Sequence, residues 1–316
     1  MSWDLAQMPD QSGRTVLVTG VTSGLGTQTA RELARRGARV VLAARNPEKL
    51  AATRAQLLQE IPDATFDELV VDLSSLVSVR SAAEDAARLG AIDVLVHNAG
   101  VMATPERRTD DGLDLQMATN HFGPFLLTGL LLPQLIASGN ARVVSVSSNA
   151  HHLTKVAPLW DPRERRGRYS RWVVYSQSKL ANLLFTFELD RRARAAGIPV
   201  RALAAHPGYA ATHLLSYGQT MKGSGGLTSI LDAVMKAGAQ SAEMGALPTL
   251  MAATDDLPGG TYCGPGGLRQ MRGLPRVVGS NRLSRDAGTQ RRFWEISEAT
   301  TGITYPSRID GSRVTD

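Results

Sequence analysis

Tyr175 and Lys179 stand four residues apart in the stretch YSQSK. On a helix that spacing puts both side chains on one face, one turn apart. A free phenol, with a pKa of about 10, holds its proton too tightly to exchange it near neutrality. An ammonium within a few ångströms favours the phenolate and lowers that value. The pair therefore has the makings of a general acid and base for a carbonyl or alcohol oxygen. Alone, a tyrosine and a lysine at this spacing are most often a solvated helix face. A second constellation gives the pair weight. The stretch TGVTSGLG at 19–26 leaves the apolar run Thr15-Val16-Leu17-Val18 through glycines at 20, 24 and 26 and soon enters TARELARR. Such glycine density suits a backbone that must approach a phosphate at a helix N-terminus. A tight turn between two core elements is the alternative reading.

The elements that must hold these groups can be read from the apolar runs. Strand-like runs are TVLVT (15–19), ARVVLAA (38–44), ELVVDL (68–73), DVLVHNA (93–99), ARVVSVSS (141–148) and PVRALAAH (199–206). Helical stretches lie near 25–36, 47–60, 75–89, 113–137 and 175–196. Continuous Val, Leu and Ala runs suit strands buried on both faces of a parallel sheet. Six strands alternating with helices predict an α/β fold: a single-domain, doubly wound, Rossmann-type sheet with helices on both faces and right-handed crossovers. That domain spans 14–316 after a short N-terminal extension, 1–13. Residues 149–174 form a Pro/Arg-rich insert between a strand and a helix, and 209–285 read as the substrate-side segment. Within it GQTMKGSGGLTS (218–229) is rich in Gly, Ser and Thr, and GGTYCGP (259–265) reads as turns. AGTQRRFWEISEATTG (287–302) reads as a last amphipathic helix with Phe293, Trp294 and Ile296 on its buried face.

The 316 residues are 43% hydrophobic and 20% charged, enough for a sizeable core. No apolar stretch is long enough to span a membrane, and the first residues have no signal-peptide apolar region. One cysteine, Cys263, excludes an internal disulfide or a cysteine metal cluster and fits a reducing, cytoplasmic setting. The net charge is +6, but the arginines are scattered and aromatics are only 5%, so no nucleic-acid partner is expected. RERRGRYSR (163–171) reads as a solvated loop. His151 and His152 would face opposite ways on a strand and have no third ligand in view. They read as surface or loop histidines, and no metal is expected.

Ligands of open α/β sheets lie outside the carboxyl ends of the strands, so the residues just past each strand end carry the most information. After the first come Gly20, Thr22, Ser23, Gly24, Leu25 and Gly26; after the second, Arg45; after the third, Asp72 and Leu73. After the fourth come Asn98, Ala99 and Gly100; after the fifth, Ser147 and Ser148; after the sixth, Pro207 and Gly208. Small or polar groups recur along the one edge where a dinucleotide would lie. Position 44 is alanine, where an acidic residue would receive the ribose 2′-hydroxyl of NAD, and Arg45 comes directly after it. A guanidinium there can grip a 2′-phosphate with no carboxylate to repel it. The expected cofactor is NADP(H) rather than NAD(H).

Taken together, these pieces make the chain resemble the short-chain dehydrogenases/reductases. The matching pieces are TGVTSGLG, Asp72-Leu73, HNAG at 97–100, Asn120 in MATNHFG, Ser148 in VVSVSSNA, the Tyr175/Lys179 pair and HPG at 206–208. They fall in the family's order from residue 15 to about 212. The long Ser148-to-Tyr175 interval, KLANLLF at 179–185 and the terminal TGITY look like the retinol-dehydrogenase-like branch, with protochlorophyllide reductases and the WW-domain oxidoreductase as relatives. The resemblance implies a hydride transfer between a nicotinamide and a carbonyl or alcohol carbon of an apolar small molecule: an aldehyde, a ketone or a retinoid-like compound. It implies that Tyr175 exchanges the proton, that Lys179 binds the nicotinamide ribose and lowers the tyrosine pKa, and that Ser148 binds the substrate oxygen. Asn120 would hold a water between Lys179 and solvent. Asn98, Ala99 and Gly100 would line the adenosine ribose, Asp72 would reach the adenine, and Pro207, Gly208 and Thr212 would meet the nicotinamide end. A non-catalytic NADP(H) sensor or scaffold of the same fold is the alternative; an epimerase or dehydratase would want nucleotide-sugar features that the C-terminal third lacks.

Two departures from the family pattern stand out. NADP-preferring relatives often carry a basic residue just before the second glycine of the loop, where this chain has Ser23. The Ser148-to-Tyr175 interval is long compared with simpler members, so the insert must loop out for both hydroxyls to converge. An insert there can cover the helix face through which many relatives form tetramers, which favours a monomer or homodimer.

Overall fold

The computed structural model describes residues 3–165, 167–209 and 240–306. Six parallel strands form the centre: β1 (Thr15–Thr19), β2 (Arg39–Ala44), β3 (Phe66–Val70), β4 (Val94–His97), β5 (Ala141–Val146) and β6 (Val200–Ala205). A seventh parallel strand, β7 (Tyr262–Pro265), and an antiparallel β8 (Pro275–Val277) extend the sheet. The order is β3-β2-β1-β4-β5-β6-β7-β8, so the chain reverses direction across the sheet between β1 and β4. Alternate residues of one strand enter opposite cores. Leu17, Val41, Leu95 and Val143 face one side; Val16, Val18, Val40, Val94, Val96 and Val144 face the other. That two-sided burial is why the runs are continuous rather than alternating.

Helices cover both faces: α1 (Gly24–Arg35), α2 (Pro47–Glu60), α3 (Leu76–Ala86), α4 (Leu115–Met117), α5 (Gly123–Leu130), α6 (Leu132–Ala137), α7 (Arg171–Ala196), α8 (Ala242–Thr254), α9 (Arg282–Arg285) and α10 (Ala287–Thr301). Local chemistry fixes several ends. Asn46 caps α2, its Oδ1 accepting from Lys49 N at 2.7 Å, with Pro47 at the first helical position. Ser75 caps α3. The 26-residue α7 ends at Gly197, whose φ of +69° lies in the left-handed region.

Four expectations need correction. The third strand is Phe66–Val70, earlier than 68–73, and it forms the sheet edge, with Glu68 and Val70 exposed. The stretch 113–137 is broken into α4, a π turn at Ala118–Phe122, α5 and α6. Pro124 and Pro133 cannot donate to the helical ladder, and Gly123 N–H reaches back to Ala118 O. The turn-rich stretch 259–265 contains β7, where Tyr262 and Cys263 pair with Ala204 and Ala205. In α10, Phe293 and Trp294 are buried, but Ile296 is only half-buried. The residues before β1 are also tied down: Trp3 and Met8 are buried, and Trp3 N–H donates to Pro275 O at 3.1 Å.

Candidate active site

The edge beside the β1/β4 reversal is built from backbone. Gly20 turns the chain out of β1 at φ +73°, and a Cβ there would lie 2.7 Å from Ala99 Cα. A Cβ on Gly26 would lie 2.5 Å from Asn98 Nδ2 and closer still to Gly20 O. Only a bare backbone fits at either place. Ser23 precedes α1 in an extended conformation, and its side chain makes no capping bond to the first turn. The first-turn N–H groups of α1 are thus left for an anion. Thr22 is half-buried, Ser23 exposed and Leu25 buried. Asn98 Nδ2 donates to Thr19 O (2.8 Å) and Gly20 O (3.2 Å), while Asn98 N and Ala99 N both donate to Thr19 Oγ1 at 3.1 Å. These bonds knit the end of β4 to the glycine loop.

Arg45 lies just past β2, exposed and with no hydrogen bond or ion pair among the described residues. Asp72 is half-buried, and its Oδ1 accepts from Ser74 N (2.9 Å) and Ser74 Oγ (2.6 Å). Leu73 is buried beneath the start of α5. A glycine-tight loop, uncapped helix amides and an unengaged guanidinium at the next strand end fit a dinucleotide.

The second cluster gathers at the ends of β4, β5 and α7. Tyr175 and Lys179 are 7% and 5% exposed, so the pair is not a solvated helix face. The two serines after β5 face different ways. Ser147 is buried, and its Oγ donates to Lys179 O at 2.8 Å. Ser148 is half-buried, and its hydroxyl meets the phenol of Tyr175. Lys179 Nζ donates to Val146 O at 3.0 Å, a carbonyl that also accepts from Asn182 Nδ2 at 3.0 Å. Asn120 sits in the π turn, a widening that recurs at functional sites. Its Oδ1 accepts from Val101 N (2.8 Å), and its Nδ2 donates to Val101 O and Ser178 Oγ (both 2.9 Å). Gly100 closes the wall: a Cβ there would lie 3.1 Å from Asn120 Oδ1 and 3.3 Å from Lys179 Nζ.

Burial dominates the electrostatics. It pushes the Tyr175 phenol up to about 12, against the opposing pull of the Ser148 hydrogen bond, and pushes the Lys179 ammonium down to about 8. Burial therefore sets the sense of the shift, and the expected lowering by Lys179 does not show in it. Nζ is held by Val146 O and stands 5.8 Å from the ring centre, too far to outweigh removing a phenolate from water.

Past β6, Gly208 turns at φ +67° and its N–H donates to His206 Nδ1 at 3.2 Å, while Pro207 O accepts from Gln240 Nε2. Tyr209 N donates to Met271 O at 2.7 Å. Thr212 lies outside the described residues. The insert after β5 opens with a 3₁₀ turn at Asn149–Leu153 and loops out before α7. Arg163 ties it down through Asp111 O (3.2 Å) and Thr300 O (3.1 Å), and Tyr169 OH donates to Thr104 O at 3.1 Å. Both histidines read as surface or loop residues lie in this turn; His152 is exposed, whereas His151 is fully buried. The backbone there is a tight turn rather than a strand, so the rings of His151 and His152 lie 3.9 Å apart instead of on opposite faces. His151 and its partner Asn281 carry no local sequence signal, because they meet across 130 residues.

A loop that suits a diphosphate and a tyrosine, serine and lysine set at the same edge define a nicotinamide-nucleotide oxidoreductase site. The short chain dehydrogenase family profile matches residues 14–159. Human retinol dehydrogenase 13 is 37% identical over 302 residues, covering 93% of this chain and 86% of that protein. The crystal structure of an uncharacterized protein from Mycobacterium paratuberculosis is 42% identical, with a TM-score of 0.78 over 97% of this chain and 100% of that one. A Shigella flexneri short chain dehydrogenase complexed with NADP shares the fold at 22% identity and a TM-score of 0.61, covering 81% and 98%. The chain belongs to the short-chain dehydrogenase/reductase family. Within it the chain falls in the retinol-dehydrogenase-like branch, and it is an alcohol/carbonyl oxidoreductase acting on CH–OH groups with NAD(P). No helix among the described residues is long and apolar enough to cross a membrane.

Proposed function

We propose that the enzyme uses NADP(H) to interconvert apolar aldehydes or ketones, retinoid-like ones among them, with the corresponding alcohols. The observation that carries this reading is the Ser148 and Tyr175 hydroxyls meeting beside buried Lys179 and Asn120. When bound, the nicotinamide supplies or takes up the hydride. In the reducing direction a C–H bond forms at the carbonyl carbon, the C=O π bond breaks, and its electron pair moves to oxygen. Ser148 donates a hydrogen bond to that oxygen, and Tyr175, protonated at neutral pH, gives it a proton. Lys179, close to its own titration near neutrality, resupplies the tyrosine, and a water on the remaining lone pair of Asn120 Oδ1 links Lys179 to solvent. Gly20, Gly24, Gly26 and the first turn of α1 would cradle the diphosphate, and Arg45 would grip the 2′-phosphate. Asp72, Asn98, Ala99 and Gly100 would flank the adenosine.

Exposed apolar side chains on segments that flank the site support the substrate class. Leu153 and Val156 on the insert, Trp172 and Val173 at the start of α7, and Leu268 and Met271 after β7 are all exposed large hydrophobics. The Trp172 ring stands edge-on to Tyr175 with centroids 6.3 Å apart. A monomer or homodimer is supported by α10, which stacks Trp294 on Phe185 (5.9 Å) and packs it against Phe125 (5.0 Å), covering α7 and α5. The test is initial rates over a panel of apolar and polar aldehydes with NADPH and NADH. We expect the apolar members and NADPH to be favoured, and Arg45→Ala to weaken NADPH on the order of tenfold while leaving NADH unchanged. Equal use of both nucleotides by the unaltered enzyme would overturn the NADP assignment.

A further inference from the structure

We infer that His151 is a positioning residue for the Ser148 hydroxyl, held in its working orientation by Asn281; this rests on the proposed role of Ser148 at the substrate oxygen. Among the described residues four histidines are fully or almost fully buried: His97, His121, His151 and His206. In His97 and His121, Nε2 meets a hydroxyl while Nδ1 has no partner, as befits packing residues. His151 and His206 differ. Both ring nitrogens are engaged, and these two lie just past the strands that carry the serine and the Pro207-Gly208 turn.

The partners of His151 fix its tautomer. Nδ1 lies 2.6 Å from Ser148 O, which can only accept, so Nδ1 carries the hydrogen. Nε2 lies 3.3 Å from Asn281 N, which can only donate, so Nε2 is bare. Asn281 Nδ2 also donates to His151 O at 2.7 Å, and Asn281 Oδ1 caps α9 by accepting from Ser284 N at 2.9 Å. Ser148 O receives a second donor, His151 N, at 3.0 Å. The closed turn brings Ala150 N–H to Ser148 Oγ at 3.2 Å. With that lone pair occupied, the Ser148 hydroxyl is turned to the Tyr175 phenol, where a substrate oxygen would meet both. Burial pushes His151 down to about 4, so the ring stays neutral at working pH. Tyr262 closes the ring's other side, edge-on at 5.7 Å, and also borders His206 at 5.2 Å.

Three substitutions separate this role from packing. The Nδ2 of asparagine falls near the position of His151 Nδ1, whereas the amide of glutamine reaches towards Nε2. His151→Asn should keep kcat within about threefold, whereas His151→Gln and His151→Leu should lose on the order of 10- to 100-fold, the scale of a small misplacement at a reacting centre. KM for an apolar aldehyde and Kd for NADPH should change little in all three. Asn281→Ala keeps the main-chain N–H to Nε2 but removes the Nδ2 bond that holds His151 O; it should lower kcat in the same direction, and it carries the test should the His151 variants not fold. The inference is overturned if His151→Gln turns over like the parent, or if Asn and Leu lose equally with NADPH binding intact, or if Asn281→Ala leaves kcat unchanged. Ser148→Ala is the separating control. Full activity there refutes the role of Ser148 itself, whereas an inactive Ser148→Ala beside a fully active His151→Gln refutes the inference alone.

Discussion

The two halves of the active edge are held by different means. From β1 to β4 the site is shaped by main chain: Gly20 and Gly26 leave room for backbone, and Asn98 and Thr19 stitch adjacent strand ends. Beyond β5 it is held by side chains that bridge remote segments, His151 with Asn281, His206 with Gln270, and Gln240 with Pro207. The first arrangement suits a cofactor half whose ligand does not change. The second places the parts proposed to face substrate on loops whose shape depends on a few polar contacts, so this half can be altered without disturbing the sheet.

The largest expected effect breaks the first half. Gly26→Ala puts a methyl against Gly20 O and Asn98 Nδ2, which should cost about 1–3 kcal/mol of stability by overpacking. NADPH binding should fall below detection in a titration that still shows a folded protein. Acid sharpens the contrast. Burial lowers His97 and His121 to about 3, His206 to about 3 and His151 to about 4, so all four are neutral in the fold and charged once unfolded below about 6.5. Unfolding then takes up protons, and stability should fall as pH drops below 6.5, each histidine adding about 1.4 kcal/mol per pH unit until its folded value is reached. Denaturant titrations at pH 8, 6 and 5 check this; a stability that is flat over that range contradicts the burial of these rings. The smallest effect lies beside Tyr175: Trp172→Ala should raise KM for an apolar aldehyde a few-fold and leave kcat and NADPH affinity unchanged.

How much could be read from the letters obeys the same division. β1 and α2 fall at the expected residues, because a buried Val/Leu run and an Asn-Pro cap are local signals. The glycine loop is legible for the same reason: its steric demand can be met only by glycine, within a few positions. β7 was hidden because Gly259, Gly260, Gly264 and Pro265 crowd Tyr262 and Cys263, and only pairing with β6 makes that stretch a strand. Spacing placed Tyr175 and Lys179 on one helix face, yet the sense of the tyrosine shift depends on burial and on Val146 O, which no spacing reveals. The His151–Asn281 link was invisible because neither residue type is demanded locally.

The most direct measurement is single-turnover oxidation of NADPH by Tyr175→Phe with an apolar aldehyde. Loss of the proton donor should slow the chemical step on the order of 10²- to 10⁴-fold, with Kd for NADPH essentially unaltered. A Phe variant that consumes NADPH at the parent rate would mean that the substrate oxygen takes its proton from another group.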